Sequence, residues 1–179
     1  MSRPTKWSKS ADYCGGIGME TKFFDVDVTY SQLAIFWAAL PQPFNDWTDM
    51  HVSQGFAWRQ GSVSFKTLDE QGVHSVSCAL INKAAPVSKD AIRVIQVPFE
   101  VPDDGMLEVA SISDSVSIEL PNGMYQLRCE LILPKNGARP CVNLFFLKTS
   151  YPSFSVVKAD NDLSVKLPLL ISAEPAKQA

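Results

Sequence analysis

Apolar and polar residues alternate with a period of two along most of this chain. In the first such segment, 24–29, apolar residues at even positions alternate with Asp25, Asp27 and Thr29. This pattern is typical of a strand that buries one face, because successive side chains of a strand point to opposite sides. Comparable apolar or alternating segments lie at 31–38, 61–68, 73–82, 91–101, 106–112, 115–120, 124–133, 141–149 and 163–172. Turn residues separate them about every ten residues, which predicts an all-β chain folded as an antiparallel β-sandwich.

One short segment carries helical signals instead. In "DWTDMHVSQG", 46–55, either Asp46 or Thr48 can cap the amino end of a helix. Asp49 lies where the helix dipole favours a negative charge, and Gly55 suits the left-handed position after the last turn. We therefore predict one short helix after the first strands.

The length and composition indicate one folded domain. The chain has 179 residues, of which 46% are hydrophobic and 20% charged, and both fractions are ordinary for a globular protein. We assign residues 19–173 to a single β-sandwich domain. A flexible amino-terminal arm, 1–18, precedes it, and a polar tail, 174–179, follows it.

The charge and the apolar runs exclude several function classes. A net charge of −3 excludes a generally basic nucleic-acid binder, because phosphate binding needs an excess of Lys and Arg. No apolar run approaches the roughly 20 residues that span a bilayer, and no apolar stretch follows the basic amino terminus as in a secretory signal. We expect a cytoplasmic protein that neither inserts into membranes nor binds nucleic acid directly.

The sequence offers few candidates for catalytic chemistry. The two histidines, His51 and His74, have no neighbour at metal-ligand or triad spacing, so we interpret them as exposed or capping residues. Cys78 and Cys129 lie in apolar strands, where cysteine behaves as a small buried hydrophobe, although a bridge from Cys129 to Cys141 remains an alternative. We predict no catalytic residue, no metal site and no cofactor.

Acidic residues are concentrated in two blocks. Between Lys22 and Arg59 the chain has no basic residue and four acidic ones, and between Arg93 and Arg128 it has no basic residue and six of its 19 acidic ones. If these blocks converge in the fold, one face carries a negative field that attracts a basic partner.

Three stretches resemble the motifs of the competence protein J family. They are "NDWTDMHVSQGFAWRQGSVSF" at 45–65, "VPFEVPDDGMLEVASI" at 97–112 and "SVSIELPNGMYQLRCE" at 115–130. The resemblance runs from about Asp25 to about Glu130 and continues more faintly beyond. It implies a small inhibitor of a DNA-entry nuclease of competent bacteria, or an immunity protein against a related toxin nuclease. The expected partner is therefore a metal-dependent, non-specific DNase.

The resemblance and the local chemistry together give candidate contact residues. The partner-binding candidates are Asp46, Trp47, Asp49, Trp58, Asp103 and Asp104. A DNase cleft must be basic to hold phosphates, so acidic and aromatic side chains are suited to occupy it. We expect one of the two tryptophans to pack in the core and the other to be exposed. We also expect Tyr125 to bond a loop, as tyrosine corners do in sandwiches.

Three departures from the family pattern leave alternatives open. They are the amino-terminal arm, an insertion-like segment at 134–154, and a carboxyl end longer than expected. The alternative function is a β-sandwich module for a carbohydrate or small ligand, which needs an exposed tryptophan face beside polar groups in a groove. An enzyme would instead show a buried carboxylate or histidine in a pocket.

Overall fold

A computed structural model of the chain describes residues 3–4, 8–9, 19–134 and 136–177. The strands are β1 (Arg3–Pro4), β2 (Ser8–Lys9), β3 (Met19–Val28), β4 (Gln32–Trp37), β5 (Phe56–Arg59), β6 (Ser62–Lys66), β7 (Gly72–Ile81), β8 (Ala91–Val101), β9 (Met106–Ala110), β10 (Ser115–Glu119), β11 (Gly123–Ile132), β12 (Cys141–Lys148) and β13 (Ser155–Lys158). Helix α1 is Asp49–Gln54.

The strands form two sheets. Sheet A has the order β1-β10-β9-β4-β6-β5, and sheet B has the order β13-β8-β11-β12-β7-β3-β2. Neighbouring strands are antiparallel except for β1 with β10 and β12 with β7. The predicted fold class, a mainly antiparallel β-sandwich with one short helix, is confirmed.

A continuous hydrophobic core lies between the sheets. The period-two pattern explains its composition, since alternate residues of each strand face inward: Leu33 and Ile35 of β4 belong to the same buried cluster as Val97 and Phe99 of β8. As predicted, Tyr125 bonds a loop, because its buried hydroxyl donates to the Pro121 carbonyl oxygen at 2.7 Å.

The cysteines behave as small apolar side chains where the structure describes them. Cys78 and Cys129 are buried, and these two and Cys141 are free thiols. Cys129 faces Leu144 across the β11–β12 ladder, whereas Cys141 faces Ile132. The two cysteines are therefore not opposite each other, as the alternative Cys129–Cys141 disulfide would require.

Two segments near the carboxyl end differ from their predictions. The insertion-like segment 134–154 contains β12, which lies in the middle of sheet B between β11 and β7. It is thus part of the framework and not an added loop. No strand forms at 163–172, and the last strand is β13, which pairs with the outer side of β8. The described bonds of this segment go to the side chains of Gln54 and His51 and to the backbone of Ser53 and Asp160, not to a neighbouring strand.

Residues 160–177, the carboxyl-terminal strap, are anchored by ion pairs at their start. The fully buried Arg93 donates from Nε and Nη2 to the two carboxylate oxygens of Asp160, at 2.9 and 3.0 Å. Lys66 Nζ lies 2.8 Å from Asp162 Oδ2, and this hydrogen bond holds the pKa of Asp162 below its ordinary value. A buried guanidinium needs such partners, so Arg93 fixes where the strap leaves the sandwich.

The terminal segments contact the domain where they are described. Residues 3–4 pair with β10 and residues 8–9 pair with β3, while the rest of the predicted arm, 1–18, lies outside the described residues. At the other end, the Ala176 N–H donates to the Phe44 carbonyl oxygen at 2.8 Å, so the described part of the tail packs on the sandwich. The single helix in the described ranges is too short to cross a membrane.

Candidate partner-binding surface

Helix α1 begins and ends as its sequence predicts, with a histidine completing the cap. Thr48 is the N-cap, and its N–H donates to His51 Nδ1 at 3.0 Å. His51 Nε2 donates to the Ser172 carbonyl oxygen at 2.9 Å, so the neutral tautomer protonated on Nε2 satisfies both contacts. Gly55 ends the helix with φ of 87°. His51 caps as predicted, but it is buried.

His74, the second histidine, is also buried and not exposed. Its Nδ1 lies 2.8 Å from the Gly72 carbonyl oxygen. In the described part of the chain, no three His, Cys, Asp or Glu side chains are grouped so as to hold a metal ion.

A buried asparagine attaches the segment before the helix to sheet A. Asn45 Nδ2 donates to the carbonyl oxygens of Ala57 at 2.9 Å and Ser62 at 3.3 Å. Its Oδ1 accepts from Arg59 Nε at 2.7 Å. These bonds use the side chain's donors and acceptor on β5 and β6, so the chain enters the D-W-T-D motif, Asp46–Asp49, at a fixed point.

The strap holds the opposite side of the same segment. Buried Gln54 accepts from the Leu170 N–H at 2.9 Å through Oε1, and its Nε2 donates to the Leu170 carbonyl oxygen at 2.9 Å. The Asp46 N–H donates to the Glu174 carbonyl oxygen at 2.8 Å. The D-W-T-D motif is thus held between sheet A and the strap, and its side chains are presented on a rigid support.

Trp47 lines an apolar hollow beside the helix. Its Nε1 donates to Gln32 Oε1 at 3.2 Å, and its ring meets the His51 ring edge-on. The hollow, of about 290 Å³, is also lined by Tyr30 and Val52, which are 75% and 42% exposed. We call Tyr30, Gln32, Asp46, Trp47, Asp49 and Val52 the Trp47 surface.

Two residues of this surface are acidic. Asp46 and Asp49 are exposed, and Asp46 lines a shallow depression with Glu174. On the side of Tyr30, the carbonyl oxygen of Glu70 accepts from the Ser31 N–H at 2.8 Å. The basic residue that lines the hollow, Lys66, is engaged by Asp162. The Trp47 surface therefore joins exposed carboxylates to an apolar hollow, and the lysine that lines the hollow is paired with a carboxylate.

The acidic blocks converge only in part. The Asp27 N–H donates to Asp114 Oδ2 at 3.0 Å, which joins the first block to the second near the end of β3. Asp25, in contrast, forms an ion pair with Arg139.

Trp58 has a structural environment. Its Nε1 donates to the Pro98 carbonyl oxygen at 2.7 Å, its ring meets Phe154 edge-on at 5.0 Å, and it packs against the main core. Trp58 therefore packs on the core and Trp47 lines a hollow at the surface, but both side chains are half-buried, so the expected exposed tryptophan is not found.

Asp103 and Asp104 lie away from Trp47. They occupy the turn between β8 and β9, where Asp104 Oδ1 accepts from the Met106 N–H at 3.0 Å. The Met106 carbonyl oxygen accepts from Ala38, just after the end of β4, whereas Trp47 contacts Gln32 at its start. Gln32 and Ala38 are six positions apart along this strand, which is about 20 Å at 3.3 Å per residue. The structure brings Asp46, Trp47 and Asp49 together but not Asp103 and Asp104.

Sequence reasoning missed the other half of the Trp47 surface. Tyr30 lies in the turn "TYSQ", which has neither Gly nor Asn to mark it. Val52 could have been found, since an exposed valine on a two-turn helix next to Trp47 is a local irregularity. Gln32 carries no sequence signal that distinguishes it from a strand residue.

The chain is a small β-sandwich protein of two sheets. One of its faces presents an aromatic hollow beside exposed carboxylates, which makes that face a candidate for binding a macromolecule. The chain belongs to the Competence protein J (ComJ) family, whose sequence pattern matches residues 25–149. It is 29% identical, over 105 residues, to the DNA-entry nuclease inhibitor of Bacillus subtilis (strain 168), a match that covers 59% of this chain and 77% of the relative.

Two solved structures share the fold. The crystal structure of ComJ from Bacillus subtilis, described as an inhibitor of the DNA-degrading activity of NucA, superposes with a TM-score of 0.64 at 20% identity, covering 81% of this chain and 98% of that one. The protein of crocagin biosynthetic gene J superposes with a TM-score of 0.50 at 15% identity, covering 71% and 97%.

The family match includes β12 and stops just after it. The insertion-like segment is therefore mostly family framework, since the match runs to residue 149. The residues that hold α1 from the carboxyl side, Leu170 to Glu174, lie beyond the match.

Proposed function

We propose that this protein inhibits a DNase by binding it through the Trp47 surface, with Asp46, Trp47 and Asp49 as contacts. The observation that carries the proposal is the D-W-T-D motif on a rigid support, in a member of a family whose relative in Bacillus subtilis is a DNA-entry nuclease inhibitor. Inhibition by binding requires no turnover by this protein.

The surface has the composition of a protein-binding site. It contains the aromatic side chains of Trp47 and Tyr30, and tight interfaces concentrate their energy in a few aromatic or arginine anchors. It also carries the exposed carboxylates of Asp46 and Asp49. A DNase groove binds phosphates and is basic, so opposite charges accelerate encounter and align the two surfaces.

Rigidity adds to affinity in this arrangement. The bonds of Asn45 and Gln54 hold the backbone on both sides of D-W-T-D before any partner arrives. Binding then orders fewer groups, which reduces the entropy lost on association.

The carbohydrate alternative has less support. A sugar stacks on an open tryptophan face flanked by free polar groups, whereas most of the exposed lining of the hollow beside Trp47 is apolar and its lysine, Lys66, is paired with Asp162. The indole N–H is already bonded to Gln32.

A DNA-digestion assay with the DNA-entry nuclease homologue of the source organism tests the proposal. Wild type should protect plasmid stoichiometrically, and Asp46→Ala/Asp49→Ala should weaken protection by at least about tenfold, a loss typical of interface contacts worth 1.4 kcal/mol or more. Circular dichroism should show both proteins folded.

The matched control is Asp103→Ala/Asp104→Ala, which removes the same two charges at the other end of β4. We expect it to protect like wild type. Loss of protection in this variant alone would move the contact to the β8–β9 turn. Absence of protection by wild type at tenfold excess would reject the inhibitor proposal.

A further inference from the structure

The turn between β3 and β4 holds two side-chain-bearing residues in the left-handed region. Tyr30 has φ of 57° and Ser31 has φ of 55°, and Thr29 and Gln32 form the bridge that closes the turn. Two central residues at positive φ are the hallmark of a type I′ turn, for which Asn-Gly is strongly preferred. A tyrosine at positive φ is uncommon, since its Cβ crowds the backbone.

The neighbouring loop fixes this conformation. The Ser31 N–H donates to the Glu70 carbonyl oxygen at 2.8 Å, and the Ser31 carbonyl oxygen accepts from the Thr67 N–H at 2.9 Å. Both contacts use the backbone, so the turn needs neither the tyrosine ring nor the serine hydroxyl to form them.

The tyrosine ring contributes little to the packing of the fold. Tyr30 is 75% exposed and belongs to none of the buried clusters of the described chain. Its ring forms one wall of the hollow that Trp47 and Val52 also line. The chain therefore holds a large aromatic residue in an unfavourable backbone conformation, and the ring stands in solvent beside the D-W-T-D motif.

We infer that Tyr30 is an anchor residue for the partner, and that the strained turn exists to place its ring at the edge of the Trp47 surface. Residues in sparsely populated backbone conformations persist at binding sites because function, not stability, selects them. The inference rests on the proposed inhibitor function and names a contact that the D-W-T-D motif does not contain.

Charge complementarity indicates what the ring meets. The exposed side chains of Asp69 and Glu70 follow Thr67 in the loop that holds the turn, and Asp27 is exposed just before it. Lys66, which lines the hollow with Tyr30, is paired with Asp162, so the exposed carboxylates of this turn and loop remain to balance a guanidinium group that stacks on the tyrosine. The occupant is therefore an arginine-bearing, phosphate-binding cleft of the DNase.

Tyr30→Asn separates binding from folding. Asparagine tolerates the left-handed region and is a preferred type I′ residue, so the variant should keep the melting temperature of wild type or raise it. The expected rise from relief of the backbone strain is about 2–4 °C. Inhibition of the homologous DNA-entry nuclease should weaken at least about tenfold. Tyr30→Phe, which keeps the ring, should inhibit nearly as well as wild type.

The matched control is Tyr151→Asn. Tyr151 is 91% exposed and follows the carboxyl end of β12. The turn that carries Tyr30 lies near the opposite, amino end of β12. This follows because the start of β7 pairs with the end of β3, just before the turn, and with the start of β12. This variant should inhibit like wild type.

Each outcome decides between specific statements. Full inhibition by Tyr30→Asn, in an assay where wild type also inhibits, would overturn the anchor role and leave the proposed function standing. A fall in melting temperature for Tyr30→Asn would overturn the assignment of strain to function. Failure of wild type to inhibit would overturn the proposed function and the anchor with it.

Discussion

Replacing Gln54 by alanine should detach the strap from helix α1. The side chain is 1% exposed. It donates to the Phe56 carbonyl oxygen at 3.0 Å and makes two bonds, at 2.9 Å each, to the peptide groups of Leu170. Alanine removes all three bonds and leaves their backbone partners to find other contacts.

The magnitude follows from the number of bonds and their burial. Each hydrogen bond contributes about 0.5–1.5 kcal/mol net, and leaving buried partners unsatisfied raises the loss toward the upper end. Three bonds together give a loss of about 3 kcal/mol in the free energy of unfolding. In a chain of this size such a loss lowers the melting temperature by about 6–12 °C.

Gln126→Ala is the matched control for this prediction. Gln126 makes the same kind of contacts, with Nε2 bonded to the Val97 and Ser153 carbonyl oxygens and Oε1 accepting from the Ser153 N–H. It is only half-buried, so water can replace part of what is lost and the destabilisation should be smaller.

Urea unfolding gives the stability of each variant, and limited proteolysis reports on the strap. Gln54→Ala should be cleaved within residues 163–177 faster than wild type, whereas Gln126→Ala should not. A change of less than about 0.5 kcal/mol for Gln54→Ala, which is the size of an ordinary surface substitution, would refute the assignment of the strap's attachment to this side chain.

Three further predictions concern charge, thiols and backbone. The hydrogen-bonded ion pair with Lys66 lowers the pKa of Asp162. The stabilisation that this pair gives the fold is therefore present above the ordinary aspartate range and disappears as pH falls through the pKa of the folded state. The unfolding free energies of wild type and Asp162→Asn should converge as the pH falls below about 4. Burial raises the pKa of Cys78 to about 12, so iodoacetamide at pH 8 should modify the half-exposed Cys141 before Cys78, and faster labelling of Cys78 than of Cys141 would contradict the buried assignment. Gly105→Ala should destabilise by more than Gly137→Ala in thermal melts, since both have positive φ but only at Gly105 would the new Cβ lie 2.5 Å from a backbone carbonyl oxygen; equal losses would show that the contact relaxes.

The sequence predicted those parts of the fold that depend on local patterns. Period-two alternation located most strands of both sheets, and Thr48 and Gly55 marked the ends of α1 because capping depends on a few adjacent residues. The strap could not be predicted, because its contacts are made with side chains more than 100 residues away, such as Gln54 with Leu170.

The candidate site was predicted only in part for the same reason. Trp47 and Trp58 are eleven positions apart in one motif, and only the direction in which each indole points separates a surface residue from a core residue. Tyr30 comes to the site through a turn that lacks the usual turn residues. Its position follows from the pairing of strands in space, which a single sequence does not show.

The central position of β12 has a consequence for how the protein folds as it is synthesised. Strand β12 pairs with β11 on one side and with β7 on the other, and Ser77 bonds Asn143 across 66 residues of chain. Until residues 141–148 leave the ribosome, β3 with β7 and β8 with β11 are separate ladders, each with an open edge that can pair with another nascent chain. The yield of folded protein should therefore depend on how quickly β12 becomes available to join the two ladders.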